Sequence, residues 1–444
     1  MKSETIIYLR TSVFKDISDP QKIKAQLLSW AQQFREVAFL DSNNYPQHYS
    51  NVDCMLAVDA LTSVKTDYPN AFEDLKQYQQ TTKDWLFGYL SYDLKNDVED
   101  LKSQNFDGLH FPDMYFFQPK KLFFLKGNQL EICYLNMCDD ELELDWEEIS
   151  DIRQKAESVS EKAEGKSLEN LQIKQRISKD DYLVKVTKML GHIHRGDIYE
   201  ANFCMEFYAE YATIDPFEKY QKLNAISQPP FAVFFKNHKQ FLISASPERY
   251  LRKEGDQIIS QPIKGTAKRS PDPMEDKQIK NELFSNAKER SENIMIVDLV
   301  RNDLSHTAAK GSVTVEELCG AYSFKQVHHL VSTVVSELDP QYAATDVLKT
   351  TFPMGSMTGA PKVSAMQIIE NLEETKRGLY SGAVGYFAPN GDFDFNVVIR
   401  SILYNSQNQY LSFSVGSAIT SLSDPEMEYE ECLLKAKAMF EVLR

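Results

Sequence analysis

Along the first 135 residues or so, short apolar runs alternate with polar turns, the period-two signature of strands. Thr5–Tyr8, Val37–Leu40, Met55–Val58, Lys121–Leu125 and Leu130–Tyr134 are the predicted strands, with occasional helices between them. Residues 139–170 change character. That stretch is strongly charged, yet Leu142, Trp146 and Ile149 share one helical face, which predicts a surface helix followed by a solvated linker. From Ser178 the pattern is denser. Ser178 followed by Asp180 and Asp181 is a capping signal, and the helix it opens runs to about His194 and stops at Gly196. Strands are predicted at Phe231–Phe235, Phe241–Ala245 and Gln257–Ser260, then a long helix over 275–300 and another over 361–373. A strand pair, Ala383–Phe387 and Phe395–Leu403, flanks the turn at residues 389–392. A strand at 410–415 and a helix over 425–443 complete the chain. Strands and helices mix without regular βαβ repetition, so the predicted class is α+β.

Length, 444 residues, allows one large or two ordinary domains with a sizeable core. A formal net charge of −16 argues against a nucleic-acid partner, because such proteins carry a basic face. It does not exclude a small anionic ligand held by a few local cations. No run approaches the length of a membrane span, and the N-terminus lacks the apolar core of a signal peptide. The six cysteines form neither a CxxC pair nor a regular framework, which predicts buried reduced thiols in a cytoplasmic protein.

Two carboxylate pairs could do chemistry. Glu289 and Glu292 lie three apart, as do Glu428 and Glu431, so each pair shares a helix face. Two such helices could offer two to four hard oxygen ligands to Mg²⁺. A lone Glu-x-x-Glu is ordinarily a solvated surface pair, but the apolar run Ile294–Val297 after Glu292 predicts a buried helix. Lys264 stands between Ile263 and Gly265, with Lys268 and Arg269 nearby. A lysine crowded by cations loses its proton more easily and becomes a nucleophile. Residues 353–362, PMGSMTGAPK, lead glycines and hydroxyls into a helix starting at Pro361, whose N-terminus would favour an anion.

These segments also occur in a telling order. PIKGT, ENIMIVDLVRNDL, HHLVSTV, GSMTGAPK, YSGAVGYF, VVIRS and the late E-x-x-E resemble the signature of the chorismate-utilising enzymes. That family comprises the large subunits of anthranilate and aminodeoxychorismate synthases, with isochorismate and salicylate synthases as more distant relatives. The resemblance is strong over residues 178–444 and continues into FLDSNNYPQHYSNVD and WLFGYLSYDL near the N-terminus. It implies a large mixed sandwich with helices outside packed sheets. It also implies three parts: an N-terminal subdomain (1–138), a charged helix and linker (139–177), and a chorismate-binding catalytic domain (178–444).

Carried over by position, the resemblance implies that Glu292 and Glu431 hold Mg²⁺ with Glu289 and Glu428 assisting. It places Tyr380 and Arg400 on the enolpyruvyl carboxylate of chorismate, Lys435 against the site's negative charge, and His329 and Thr358 near the ring. Glu248 matches the general acid that protonates the departing C4 hydroxyl, a poor leaving group that needs one. Lys264 matches the nucleophile of the aminodeoxychorismate synthases, where anthranilate synthases have alanine. The implied reaction is amination of chorismate at C4 by ammonia, in p-aminobenzoate and folate biosynthesis, with C2 amination and pyruvate loss as the alternative. Isochorismate and salicylate synthases have a water-activating lysine where this chain has Glu200. The resemblance also places Gly416 on the substrate; two departures from the family are Glu200, usually glutamine, and VGSAITSLS at 415–423, where Ser417 and Ala418 replace positions of a glycine-rich segment whose backbone meets substrate. No glutaminase motif is present, so ammonia is expected from solution or from a separate glutamine amidotransferase subunit. Asp41 and Ser42 lie where related enzymes bind tryptophan.

Overall fold

In a computed structural model, residues 9–46, 48–49, 52–67, 69–152, 171–325 and 327–444 are described. The predicted strand Thr5–Tyr8 and the linker after Ile152 lie outside them. Twenty strands join one hydrogen-bonded network, and all pairings between them are antiparallel. The strands Cys54–Thr66 and Met114–Lys126 pair along most of their length and act as a shared spine. One arm runs from Cys54–Thr66 through Glu36–Asp41, Phe231–Asn237, Gln240–Ser246, Ser401–Asn405 and Tyr410–Thr420 to Glu200–Ala209. The other runs from Met114–Lys126 through Leu86–Leu90, Ala383–Phe387, Phe393–Val397, Arg249–Glu254 and Gln257–Gln261 to Val327–Glu337.

The arms enclose an aromatic-rich core that includes Tyr89, Phe117, Phe235, Leu242, Val384 and Leu403. Each outer face is covered by helices. Helices Pro20–Ala31, Lys179–Arg195, Pro216–Ser227 and Pro425–Leu443 bury apolar faces against the first arm. Helices Ala71–Thr82, Ala287–Ser305 and Ala344–Thr351 cover the second. The expected sandwich with external helices is what the chain adopts. All six cysteines are buried and unpaired. Among the described residues no helix is long and apolar enough to cross a membrane.

Local chemistry explains most element ends. Ser178 caps Lys179–Arg195 by accepting from the Asp181 N–H, and Gly196 ends that helix at φ 84°. Leu142 and Ile149 are buried on the helix Leu142–Asp151, and Trp146 packs beside them, as their spacing predicts. Four expectations need correction. The helix expected over 275–300 is two, Pro273–Ser285 and Ala287–Ser305, because Asn286 takes an extended ψ of 113° and its side chain caps the second. The strand expected at Phe395–Leu403 is two, broken between Val397 and Ser401, with Arg400 at φ 53°. The strand at 410–415 extends to Thr420, held along its whole length by Glu200–Ala209. The helix expected from Pro361 begins at Lys362, with Pro361 as its cap.

Candidate active site

A cavity of about 480 Å³ opens between the two arms where Glu200–Ala209 and Tyr410–Thr420 face Ile263–Lys268, Val327–Glu337 and the helix Ala287–Ser305. That size suits a small organic ligand. Eleven of the twelve predicted site residues line it: Glu248, Lys264, Glu289, Glu292, His329, Tyr380, Arg400, Gly416, Glu428, Glu431 and Lys435. Thr358 does not. It is fully buried behind Ser356 and Met357, and its hydroxyl turns back to donate to the carbonyls of Met354 (3.2 Å) and Gly355 (3.3 Å). The N-terminus of Lys362–Leu372 is likewise absent from the cavity wall; from the GSMTGAPK segment, Ser356 and Met357 face the cavity instead.

Each polar group in this cavity is held in a definite state. The Arg400 guanidinium has no ion-pair or hydrogen-bond partner among the described residues, and burial lowers its pKa against the opposing influence of Tyr380 and Glu431. A partly buried cation without a partner, facing a cavity, is a place for an anion. The His329 Nδ1 lies 3.0 Å from the Thr266 hydroxyl and 3.3 Å from the Gly265 carbonyl. Burial, helped by Arg400, drops its pKa to about 3, so the ring is neutral at ordinary pH. Burial raises Glu248 to about 7, only partly offset by a Ser356 hydrogen bond and Lys264. A carboxylic acid that still carries its proton near neutrality is what general-acid catalysis requires.

The four paired glutamates sit on two helices that meet at the cavity. Burial raises Glu289, and Glu431 raises it further; burial raises Glu292 to about 7. Glu431 also feels burial, but Lys435 at 2.7 Å outweighs it and brings the carboxyl below its usual range. Glu428 accepts a short hydrogen bond from the Ser417 hydroxyl, and Lys435 donates to the Gly416 carbonyl at 2.9 Å. Among the described residues no three acidic, imidazole or thiol side chains converge as a ready-made metal cage. The all-oxygen donor set and the mutual repulsion of these carboxylates nevertheless fit a hard divalent cation that takes few protein ligands and keeps several waters.

Two further findings revise the sequence reading. Lys264 is not activated by cations: Arg269 is paired with Asp276 at 2.7 Å, while the Lys264 Nζ meets Glu200 Oε1 at 2.8 Å. Burial alone would lower its pKa, but Glu200, Glu292 and Glu248 raise it overall, so the resting side chain is an ammonium. Gly416 is glycine for space. A Cβ there would lie 2.7 Å from the Cys204 sulfur and 2.9 Å from Asn202 Oδ1. Sequence reasoning missed Ser356 and Asn202 on the cavity wall, although Ser356 belongs to a motif already singled out. Asp41 and Ser42 border a separate cavity of about 70 Å³, where Lys24 already holds Asp41 at 2.7 Å.

A family model described as chorismate binding enzyme matches residues 27–441. An anthranilate synthase component I-like protein of Synechocystis is 35% identical over 361 residues, spanning 81% of this chain and 72% of that one. Aminodeoxychorismate synthase component 1 of Escherichia coli is 38% identical over 267 residues, spanning 60% of this chain and 58% of that protein. The crystal structure of anthranilate synthase component I from Streptococcus pneumoniae superposes with a TM-score of 0.74 at 26% identity, covering 90% of this chain and 95% of that one.

Proposed function

The chain belongs to the family of chorismate-binding enzymes, and from that premise we propose that it aminates chorismate at C4 with ammonia to give 4-amino-4-deoxychorismate. The observation that carries the choice of C4 is Lys264, a largely enclosed lysine on the wall of the same cavity as the protonated Glu248. In this reading chorismate, an anion, completes the unpaired Arg400, with Tyr380 beside it. Neutral His329 borders the ring without adding charge. Lys264 attacks C2, the two conjugated ring double bonds shift towards C4, and Glu248 gives its proton to the departing C4 hydroxyl, which leaves as water. Ammonia then attacks C4, both double bonds shift back, and the lysine is released.

Glu292 and Glu431, with Glu289 and Glu428 beside them, are the residues that would hold Mg²⁺, whose charge favours the ring carboxylate. Ammonia would come from a separate glutamine amidotransferase subunit, a role consistent with the "component 1" names of relatives. The intended place is p-aminobenzoate and folate biosynthesis in the cytoplasm.

Anthranilate formation is the competing reading, supported by relatives of that name which align over 81% of this chain. Incubating the pure protein with chorismate, Mg²⁺ and ammonium, then identifying the product by mass, separates the two. Aminodeoxychorismate supports the proposal; anthranilate with pyruvate overturns it.

A further inference from the structure

Glu200 has no counterpart in the chemistry described so far, yet it is the one side chain in ion-pair contact with Lys264 among the described residues. It stands at the start of the strand Glu200–Ala209, is 1% exposed, and places Oε1 2.8 Å from the Lys264 Nζ. Its other oxygen, Oε2, is buried with no hydrogen-bond partner. Buried carboxylate oxygens are rarely left so, and one that is calls for an explanation. Here the carboxylate commits a single acceptor to the lysine and holds another in reserve.

An ammonium has no lone pair, so Lys264 must shed a proton before it can attack carbon. The groups facing it are all carboxylates. Glu200 comes from the strand, Glu248 from the loop after Gln240–Ser246, Glu289 and Glu292 from the helix Ala287–Ser305, and Glu431 from the C-terminal helix. Glu248 is committed to the leaving hydroxyl, and the other three are those assigned to Mg²⁺ in the same reading. Resting on the reading in which Lys264 is the nucleophile, we propose that Glu200 takes the proton of the Lys264 ammonium, turning the buried ion pair into an amine beside a carboxylic acid.

The step balances within the pair. One N–H bond breaks and one O–H bond forms, with no change in net charge. The freed nitrogen lone pair then makes the bond to C2, while the C4–O electrons leave as hydroxide that Glu248 protonates to water. When ammonia displaces the lysine from the resulting secondary ammonium, the lysine departs as a neutral amine and recovers its proton from Glu200. An internal transfer of this kind needs no solvent base.

The test is the ratio of wild-type to Glu200→Gln kcat across pH, with Mg²⁺ and chorismate saturating and free ammonia held constant. Taking the ratio cancels the titration of Glu248 and of ammonia, which both proteins share. Glutamine keeps the shape of the side chain, so KM for chorismate should hold within about threefold. The variant must give its proton to solvent, so it should be about 10²-fold slower near pH 6.5 and converge on wild type by about pH 9. A ratio that is constant with pH, or one in which the variant gains on wild type toward low pH, overturns the proposal, since an ion pair that only holds Lys264 and raises its pKa leaves the variant with more free amine at low pH. Should Glu200→Gln fail to fold by circular dichroism, Glu200→Asp withdraws the carboxylate by one methylene, and the same two outcomes apply with a smaller gap. Failure of the underlying reading is distinguishable. It shows as anthranilate from the wild type, or as full activity of Lys264→Ala, whereas failure of this inference leaves both of those results as expected.

Discussion

Two arginines, 23 positions apart, occupy opposite electrostatic situations in the same part of the molecule. Arg377 is 5% exposed and fully engaged. It donates to both oxygens of Glu373 (2.9 and 2.7 Å) and to the carbonyls of Met357 and Asn202 (2.6 Å each), and it lies over the Tyr92 ring. Glu373 in turn accepts from the Cys204 N–H at 2.8 Å. Arg400 faces the cavity with none of this. The difference separates structure from function: the Arg377 knot braces two residues of the cavity wall, Met357 and Asn202, and asks nothing of a ligand. The cavity, by contrast, holds an unpaired guanidinium, crowded carboxylates and an acid that keeps its proton, each of which is relieved only by something that arrives.

The sharpest way to strain that contrast is to remove charge from the cavity. Glu292→Gln or Glu431→Gln should lower turnover by about 10³-fold or more at saturating chorismate with the melting temperature held, because an amide cannot replace a carboxylate facing a cation. Near-normal activity at limiting Mg²⁺ would remove that residue from the proposed ligand set. The paired arginines come next. Arg377→Met should cost about 3–5 kcal/mol of stability by stranding Glu373, read as a lowered denaturant midpoint. Arg400→Met should leave the midpoint unchanged or raise it while cutting kcat/KM for chorismate by about 10²-fold or more. If both substitutions destabilise alike, the division between knot and cavity is wrong.

A milder perturbation is pH. Glu248 acts as an acid only while protonated, so with free ammonia fixed, kcat/KM should fall as pH rises through about 7, by up to tenfold per unit. A rate that stays flat up to about pH 9 would exclude Glu248 as the proton donor. The smallest effect concerns Ser417→Ala, which frees Glu428 from its hydroxyl partner. Activity at saturating Mg²⁺ should change by no more than a few-fold, with the Mg²⁺ concentration for half-activity shifting instead; a titration reads both.

Periodicity and capping carried much of the fold. Ser178, Gly196 and the apolar face of Leu142–Asp151 act as their local sequence indicates. Where the reading broke down, the local signal was faint or missing. Asn286 interrupts a run with neither glycine nor proline, and Arg400 adopts a positive φ inside VVIRSILY, a stretch that reads as one strand. The first break carries its own cap, Asn286 three residues before Glu289, and the second has none. At the site, motif order located the glutamates and Lys264 but not their states. The Glu200–Lys264 pair joins residues 64 positions apart, and only the sandwich brings them together. Thr358 was placed by the resemblance of its motif, which carries no information on side-chain direction; here its hydroxyl satisfies backbone carbonyls of its own turn.

The interruption at Asn286 has an electrostatic side. Because the chain starts a new helix at Ala287, Glu289 falls in a first turn, and its own N–H is capped by the Asn286 side chain. Glu428 likewise falls in the first turn of the helix Pro425–Leu443, four residues after its cap Asp424. The C-terminal helix lines the cavity along its flank, whereas Ala287–Ser305 meets it with its N-terminal turns, the positive end of its macrodipole, about half an elementary charge. One unbroken helix over 275–300 would have put Glu289 mid-helix, far from either pole. Splitting it supplies fixed positive potential from the backbone itself, which lets a cluster of carboxylates persist in a chain of net charge −16 between one turnover and the next.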